Sequence, residues 1–111
     1  GRRLMVVFQS HTYSRTKALL PQFVSSLAVA DVILINDIFA SARETETLGI
    51  SGQILANLIK AKHPQVFYAP GKAATVARLK TLVRDDDVVF TIGAGNNWLW
   101  HKEIIKLLRQ R

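Results

Sequence analysis

Several kinds of residue and segment are scarce or missing in this chain of 111 residues. It contains no cysteine, which excludes disulfide bonds, thiolate nucleophiles and cysteine-based zinc sites. Its apolar runs, such as residues 32–35, are far shorter than the roughly 20 residues that cross a bilayer. Residues 1–3 lead straight into an apolar strand rather than a signal peptide. We therefore expect a cytoplasmic protein with no membrane partner, whose sequence begins inside a fold.

Acidic residues are also few, because 8 Asp and Glu face 15 Lys and Arg, for a formal charge of +7. A nucleic-acid surface would need these cations to be clustered, whereas they are dispersed and have no interleaved stacking aromatics. The pattern favours solvated helix surfaces, and such a field also suits a small anionic ligand. We expect no nucleic-acid partner.

The sequence does contain enough apolar material for one compact domain over residues 1–111, because 49% of its residues are hydrophobic. Short apolar runs alternate with segments of helical period, which predicts an α/β fold: a three-layer αβα sandwich with a mainly parallel sheet. Continuous apolar character predicts that the strands are buried on both faces. The predicted strands are Leu4–Gln9, Val32–Asp37, Gln65–Ala69 and Val88–Ile92.

The predicted helices have recognisable ends and inward stripes. The first carries Leu20, Phe23, Val24 and Leu27, and Ser14 is predicted to cap a shorter turn before it. Ser51 is the predicted N-cap of the second, whose inward stripe is Ile54, Leu55, Leu58 and Ile59. The third helix follows residues 70–71 and carries Val76, Leu79, Leu82 and Val83. The fourth helix presents Trp100, Ile104, Leu107 and Leu108.

Right-handed crossovers with one reversal of winding predict the strand order 3-2-1-4. In that order the loops after the first and fourth strands flank the crevice where open α/β sheets bind ligands. The first loop offers His11, Thr12, Tyr13, Ser14 and Arg15. The Arg15 guanidinium suits a carboxylate or phosphate. Two interpretations remain open: an anion site, or a surface ion pair of Arg15 with His11 only bonding the loop.

The loop after the fourth strand supplies further crevice candidates, Gly93, Ala94, Gly95 and Asn96. Its two glycines let backbone approach a ligand, and Asn96 is a candidate helix cap. The third glycine of the dinucleotide fingerprint is missing, because Trp98 stands in its place. The pattern therefore favours a tight turn over a cofactor site.

The loop after the second strand completes the predicted crevice with Asp37, Ala40, Arg43 and Glu44. Asp37 ends a buried strand, so it either binds a ligand amine or accepts backbone N–H bonds. His63 and His101 have no metal-ligand partner at useful spacing and are assigned to structure. We predict no metal site and no catalytic residue within this chain, which also lacks a P-loop and a nucleophile elbow.

Three segments together resemble the C-terminal domain of the bacterial Mur ligases, and most closely the UDP-N-acetylmuramate:L-alanine ligase branch. Residues 8–16 read FQSHTYSRT and are similar to the family's F-Q-P-H-[TR]-[YF]-S-R-T signature. Residues 37–44, DIFASARE, resemble D-I-[FY]-x-[SA]-A-R-E, and residues 93–98, GAGNNW, resemble G-A-G-[DN]-x-W. The matches occur in the family's order and cover nearly the whole chain.

The resemblance implies a Rossmann-like domain that binds the incoming amino acid and closes over ATP held by a central domain. The implied reaction is ATP- and Mg²⁺-dependent: the muramate carboxylate becomes an acyl phosphate, which the amine of L-alanine attacks. His11, Ser14 and Arg15 would then position the alanine carboxylate. The implied partners are the preceding ATP-binding and UDP-sugar-binding domains. We expect no tightly bound cofactor, and no activity, in this chain alone.

Two departures from the family pattern matter. Ser10 replaces the usual proline and is expected to loosen the loop. The family's domain also normally begins earlier, with a D-Y-x-H-H-P segment, so we expect this chain to lack the first strand segment. The alternative interpretations are a related Mur-type ligase that adds a peptide or another amino acid, and a stand-alone anion-binding module.

Overall fold

The computed structural model describes residues 3–39, 49–93 and 100–109. Strands and helices alternate along this part of the chain as the apolar pattern predicts. The elements are β1 (Leu4–Gln9), α1 (Tyr13–Ala18), α2 (Leu20–Leu27), β2 (Val32–Ile35), α3 (Gly52–Lys60), β3 (Val66–Tyr68), α4 (Lys72–Leu82), β4 (Val88–Gly93) and α5 (His101–Arg109).

The four strands form one parallel sheet in the order β3-β2-β1-β4, which confirms the predicted topology. Phe8 of β1 is level with Ile35 of β2 and with Ile92 of β4. The winding reverses between β3 and β4, so β4 pairs with β1 on the side opposite β2. β2 is two residues shorter than predicted, because beyond Ile35 the chain leaves the regular ladder.

The sheet is the middle layer of the predicted αβα sandwich, since successive β1 side chains enter opposite cores. Val6 and Phe8 pack with residues of α2 and α3, including Leu27 and Leu55. The second core packs residues of α4 and α5 against the other face of the sheet; it contains Met5, Val7, Leu79 and Ile104.

Two details of the helices differ from the sequence-based predictions. α1 is capped by Thr12 rather than Ser14, because the Thr12 hydroxyl accepts the N–H of Arg15. Ser51 caps α3 as predicted, accepting the N–H of Ile54. However, Ile54 and Leu58 are exposed, and the buried stripe of α3 consists of Gly52, Leu55, Ala56 and Ile59. Leu55 and Ile59 are thus confirmed as inward residues.

The prediction that every strand is buried on both faces is wrong for β4. Phe90 is 53% exposed and Ile92 is 45% exposed. Within the described residues, β4 pairs only with β1, and no helix covers this part of the sheet. An apolar depression of about 540 Å³ therefore lies between β4 and α2, with Phe8 and Phe23 in its wall.

The start of β1 is tied to the turn before β4 by an ion pair. The Arg3 guanidinium donates two hydrogen bonds to the Asp87 carboxylate, from Nε at 3.0 Å and from Nη2 at 2.8 Å. This bond lowers the pKa of Asp87, and the bond from the Arg84 N–H acts in the same direction. In the described part of the chain, no helix has the length and apolarity that a membrane crossing requires.

Candidate functional site

The loops after β1 and β2 are joined by backbone hydrogen bonds beyond the ends of the two strands. The Phe39 N–H donates to the Ser10 carbonyl at 2.9 Å, and the Thr12 N–H donates to the Phe39 carbonyl at 2.8 Å. His11 and Phe39 consequently form an isolated parallel bridge. His11 follows Phe8 by three positions, whereas Phe39 follows Ile35 by four, so the β2 side carries one extra residue. Such bulges redirect side chains and are common beside active sites.

Thr12 has an unusual backbone conformation in the first loop. Its φ of 62° and ψ of 146° lie in a region that residues with a Cβ rarely occupy. Its N–H bonds to Phe39, its hydroxyl caps α1 through Arg15, and its carbonyl accepts the Thr16 N–H at 3.1 Å. The neighbouring backbone therefore fixes Thr12 in this conformation and turns the chain sharply from β1 into α1.

A buried hydroxyl pair supports the loop from below. Ser10 Oγ lies 2.5 Å from Thr16 Oγ1, and Thr16 Oγ1 also donates to the Thr12 carbonyl at 2.6 Å. Both Ser10 and Thr16 are buried. Ser10, the residue expected to loosen the loop, is thus bonded directly to α1.

His11 and Arg15 line one open cavity of about 600 Å³ beside α1, together with Thr12, Ser14, Ala18 and Leu19. Arg15 is exposed, and no ion pair with it occurs among the described residues. The Ser14 hydroxyl lies 3.4 Å from that of Thr12. The wall thus offers an imidazole, two hydroxyls and a guanidinium, a set that can bind a small carboxylate.

Asp37 belongs to a different part of the rim, where it meets Tyr68 at the end of β3. The Tyr68 hydroxyl donates to the Asp37 carboxylate, so the described partner of that carboxylate is a phenol rather than a backbone N–H. Burial, followed by this bond, raises the pKa of Tyr68 to about 12. Gly52 packs tightly here: a Cβ on it would lie 2.7 Å from the Asn36 carbonyl.

The remaining candidates are placed only in part. Tyr13 begins α1, and it adds a small electrostatic contribution to the raised pKa of Tyr68. Gly93 ends β4, is exposed and pairs in register with Gln9 of β1. Neither Asp37 nor Gly93 lines the cavity that contains His11 and Arg15. The other candidates lie outside the described residues: Ala40, Arg43, Glu44, Ala94, Gly95 and Asn96.

Sequence reasoning overlooked two residues that shape this rim. Phe39 stands inside the recognised DIFASARE segment, but a phenylalanine after a strand carries no polar signal. Tyr68 lies next to the end of a predicted strand, where its hydroxyl could have been noticed as a partner for Asp37. Across residues 3–39, 49–93 and 100–109, no group of three or more His, Cys, Asp or Glu is arranged to hold a metal ion.

Comparison with known proteins agrees with the motifs. The chain is 43% identical over 96 residues to the UDP-N-acetylmuramate--L-alanine ligase of Treponema pallidum (strain Nichols), covering 86% of this chain and 20% of that protein. It is 40% identical over 112 residues to the enzyme of the same name from Syntrophotalea carbinolica, covering 100% of this chain and 24% of the relative. The chain is also 45% identical over 95 residues to the enzyme of the same name from Caldanaerobacter subterraneus, covering 86% of this chain and 20% of that protein.

No protein-family model matches the chain. The chain spans about a fifth to a quarter of the length of the curated relatives it matches, and it corresponds to their C-terminal portion. The fold, the three motifs in their order and these identities lead to one assignment. The chain belongs to the UDP-N-acetylmuramate--L-alanine ligase family and corresponds to the C-terminal region of its members.

Proposed function

We propose that this chain is the amino-acid-binding domain of an ATP-dependent ligase that adds L-alanine to UDP-N-acetylmuramate in peptidoglycan synthesis. The observation that carries the proposal is the common cavity of His11 and Arg15 at the carboxyl end of the sheet. Relatives named for this reaction match the chain at 38–45% identity, which supports the same reaction.

In the proposed reaction, this domain positions the amino acid. The Arg15 guanidinium receives the alanine carboxylate through a bidentate pair of hydrogen bonds. His11 donates a further bond to that carboxylate, and Ser14 lies beside it in the cavity wall. The amine is then held toward an activated muramate carboxyl group. Positioning contributes strongly to a reaction of two substrates, because a held nucleophile acts at high effective molarity.

ATP and Mg²⁺ in this proposal are bound by the preceding ATP-binding domain, and the sugar nucleotide by the UDP-sugar-binding domain. ATP activates the muramate carboxyl group when bound there. This chain then contributes amino-acid binding and closure over the nucleotide, which excludes water from the activated group. It follows that the 111-residue chain alone is inactive. We also propose that the full-length enzyme works in the cytoplasm and has no nucleic-acid or membrane partner.

The test is to replace Arg15 with alanine in the full-length ligase and to measure KM for each substrate. The KM for L-alanine should rise about 10- to 100-fold, because a charge-assisted pair is lost, while the KM for ATP stays within about twofold. The matched control is Arg78→Ala, which removes another surface guanidinium that lies over the Phe67 ring, 5.1 Å from its centroid. Equal effects of both variants, or a preference of the parent enzyme for a peptide over L-alanine, would contradict the proposal.

A further inference from the structure

We propose that Phe39 is a positioning residue that fixes the His11 imidazole for amino-acid binding; this inference rests on the proposed function. Phe39 does not line the cavity itself. Its effect on the substrate would therefore pass through His11. The reasons lie in the ring contact, in the backbone around it and in the exposure of the Phe39 side chain.

The two rings are stacked. Their centroids are 5.9 Å apart, and their planes are inclined by 29°. An aromatic pair at this separation adds attraction beyond simple burial and limits rotation of both side chains. The imidazole thus packs against the Phe39 ring, while His11 also lines the cavity.

Backbone bonds hold the same two residues side by side. The Phe39 N–H and carbonyl bond to the residues on either side of His11, namely Ser10 and Thr12. The extra residue on the β2 side determines that Phe39, and not Ile38, stands level with His11. Ile38 is buried in the domain, whereas Phe39 is 39% exposed. The irregularity therefore directs an apolar ring away from the core and places it next to a site residue.

Core packing does not explain this arrangement. A half-exposed phenylalanine adds little to folding compared with a buried one, because much of its apolar surface stays in water. What the ring provides at this position is a flat contact for the imidazole. A leucine would keep much of the apolar volume but lose the flat face, whereas a tyrosine would keep the face.

The experiment compares Phe39→Leu and Phe39→Tyr in the full-length ligase. We expect Phe39→Leu to raise the KM for L-alanine about three- to tenfold, with the KM for ATP and for the sugar nucleotide, and kcat, within about twofold. Phe39→Tyr should keep the KM for L-alanine at the parental value. Phe90→Leu is the matched control, because Phe90 is also exposed but lies on β4, and it should leave all three KM values unchanged.

A second measurement reports on the rings without any substrate. In histidine-labelled full-length enzyme, the His11 ring protons, identified by their loss in His11→Gln, should carry a ring-current shift from Phe39. That shift should disappear in Phe39→Leu and persist in Phe39→Tyr. A normal KM for L-alanine in Phe39→Leu, with Arg15→Ala still impaired, would overturn the inference and leave the proposed function standing. If Arg15→Ala also binds L-alanine normally, the proposed function itself fails.

Discussion

The hydroxyl oxygens of Ser10 and Thr16 lie 2.5 Å apart in the interior of the domain, directly below the loop that carries His11. Neither residue reaches the cavity wall. The pair joins Ser10, just after β1, to Thr16 in the middle of α1. His11 lies between these two elements, and Arg15 lies on α1 itself. It supports the site mechanically without contacting a ligand.

Replacing Thr16 with valine should destabilise the 111-residue chain by about 1–3 kcal/mol, because a buried Ser10 hydroxyl loses its partner. Denaturant unfolding measures the change. Thr81→Val serves as the control, since the Thr81 hydroxyl is exposed and bonds the Arg78 carbonyl, and it should cost less than about 0.5 kcal/mol. A Ser10→Ala, Thr16→Val double variant that is about as stable as Thr16→Val would support the pairing. Strictly additive losses would count against it.

Thr12→Gly should leave the chain more stable than Thr12→Ala by about 1 kcal/mol or more. Both variants lose the capping hydroxyl, but only glycine accepts a φ of 62° without strain. The order reverses at Ala74 within α4, where Ala74→Gly should cost about 1 kcal/mol because glycine is a poor helix former. Equal stability of the two Thr12 variants would show that the backbone there is relaxed.

The Arg3–Asp87 ion pair should make stability depend on pH in the acid range. Because the pKa of Asp87 is lowered in the folded chain, its contribution is present above its unfolded pKa of about 4 and is lost as the pH falls through the folded value. Asp87→Asn should therefore reduce the unfolding free energy at pH 7 but flatten its decline below about pH 4. Asp86→Asn, one residue away and exposed, is the matched control, because it leaves the Arg3–Asp87 ion pair in place.

Tyrosine absorbance should reveal one phenol that ionises at about pH 12, because the pKa of Tyr68 is raised by burial and by its bond to Asp37. A folded pKa above the unfolded value of about 10 means that the stabilisation is complete below pH 10 and is lost as the pH rises toward 12. The chain has only two tyrosines. The step should vanish in Tyr68→Phe and persist in Tyr13→Phe. A step near 10 that belongs to Tyr68 would contradict the hydrogen bond.

The sequence predicted the strand order and the layer arrangement because both follow from apolar runs, helical periods and crossover handedness. It did not predict the exposure of Phe90 and Ile92, because a continuous apolar run shows which faces could be covered but not whether a helix covers them. The exposure of Ile54 and Leu58 has a related cause: the wide apolar stripe of α3 meets the sheet along only part of its width.

At the candidate site, sequence reasoning identified the residues with polar chemistry but not the residues that hold them. His11 and Arg15 were recognisable from their side chains and their place after β1. The bridge to Phe39 depends on one extra residue in the loop after β2, compared with the loop after β1, and no local pattern reveals it. The same holds for Thr12, because its positive φ results from tertiary hydrogen bonds and not from its own preference.

The bonds that clasp the loops after β1 and β2 come from peptide groups, and most side-chain substitutions leave peptide groups in place. Side chains of the cavity wall can therefore be changed without removing the backbone bonds that hold the two loops together. Ala18 and Leu19 could be enlarged or reduced to admit a different amino acid while the imidazole stays where the backbone puts it. A library restricted to these two positions should yield altered substrate preference more readily than one that includes residues 10–12.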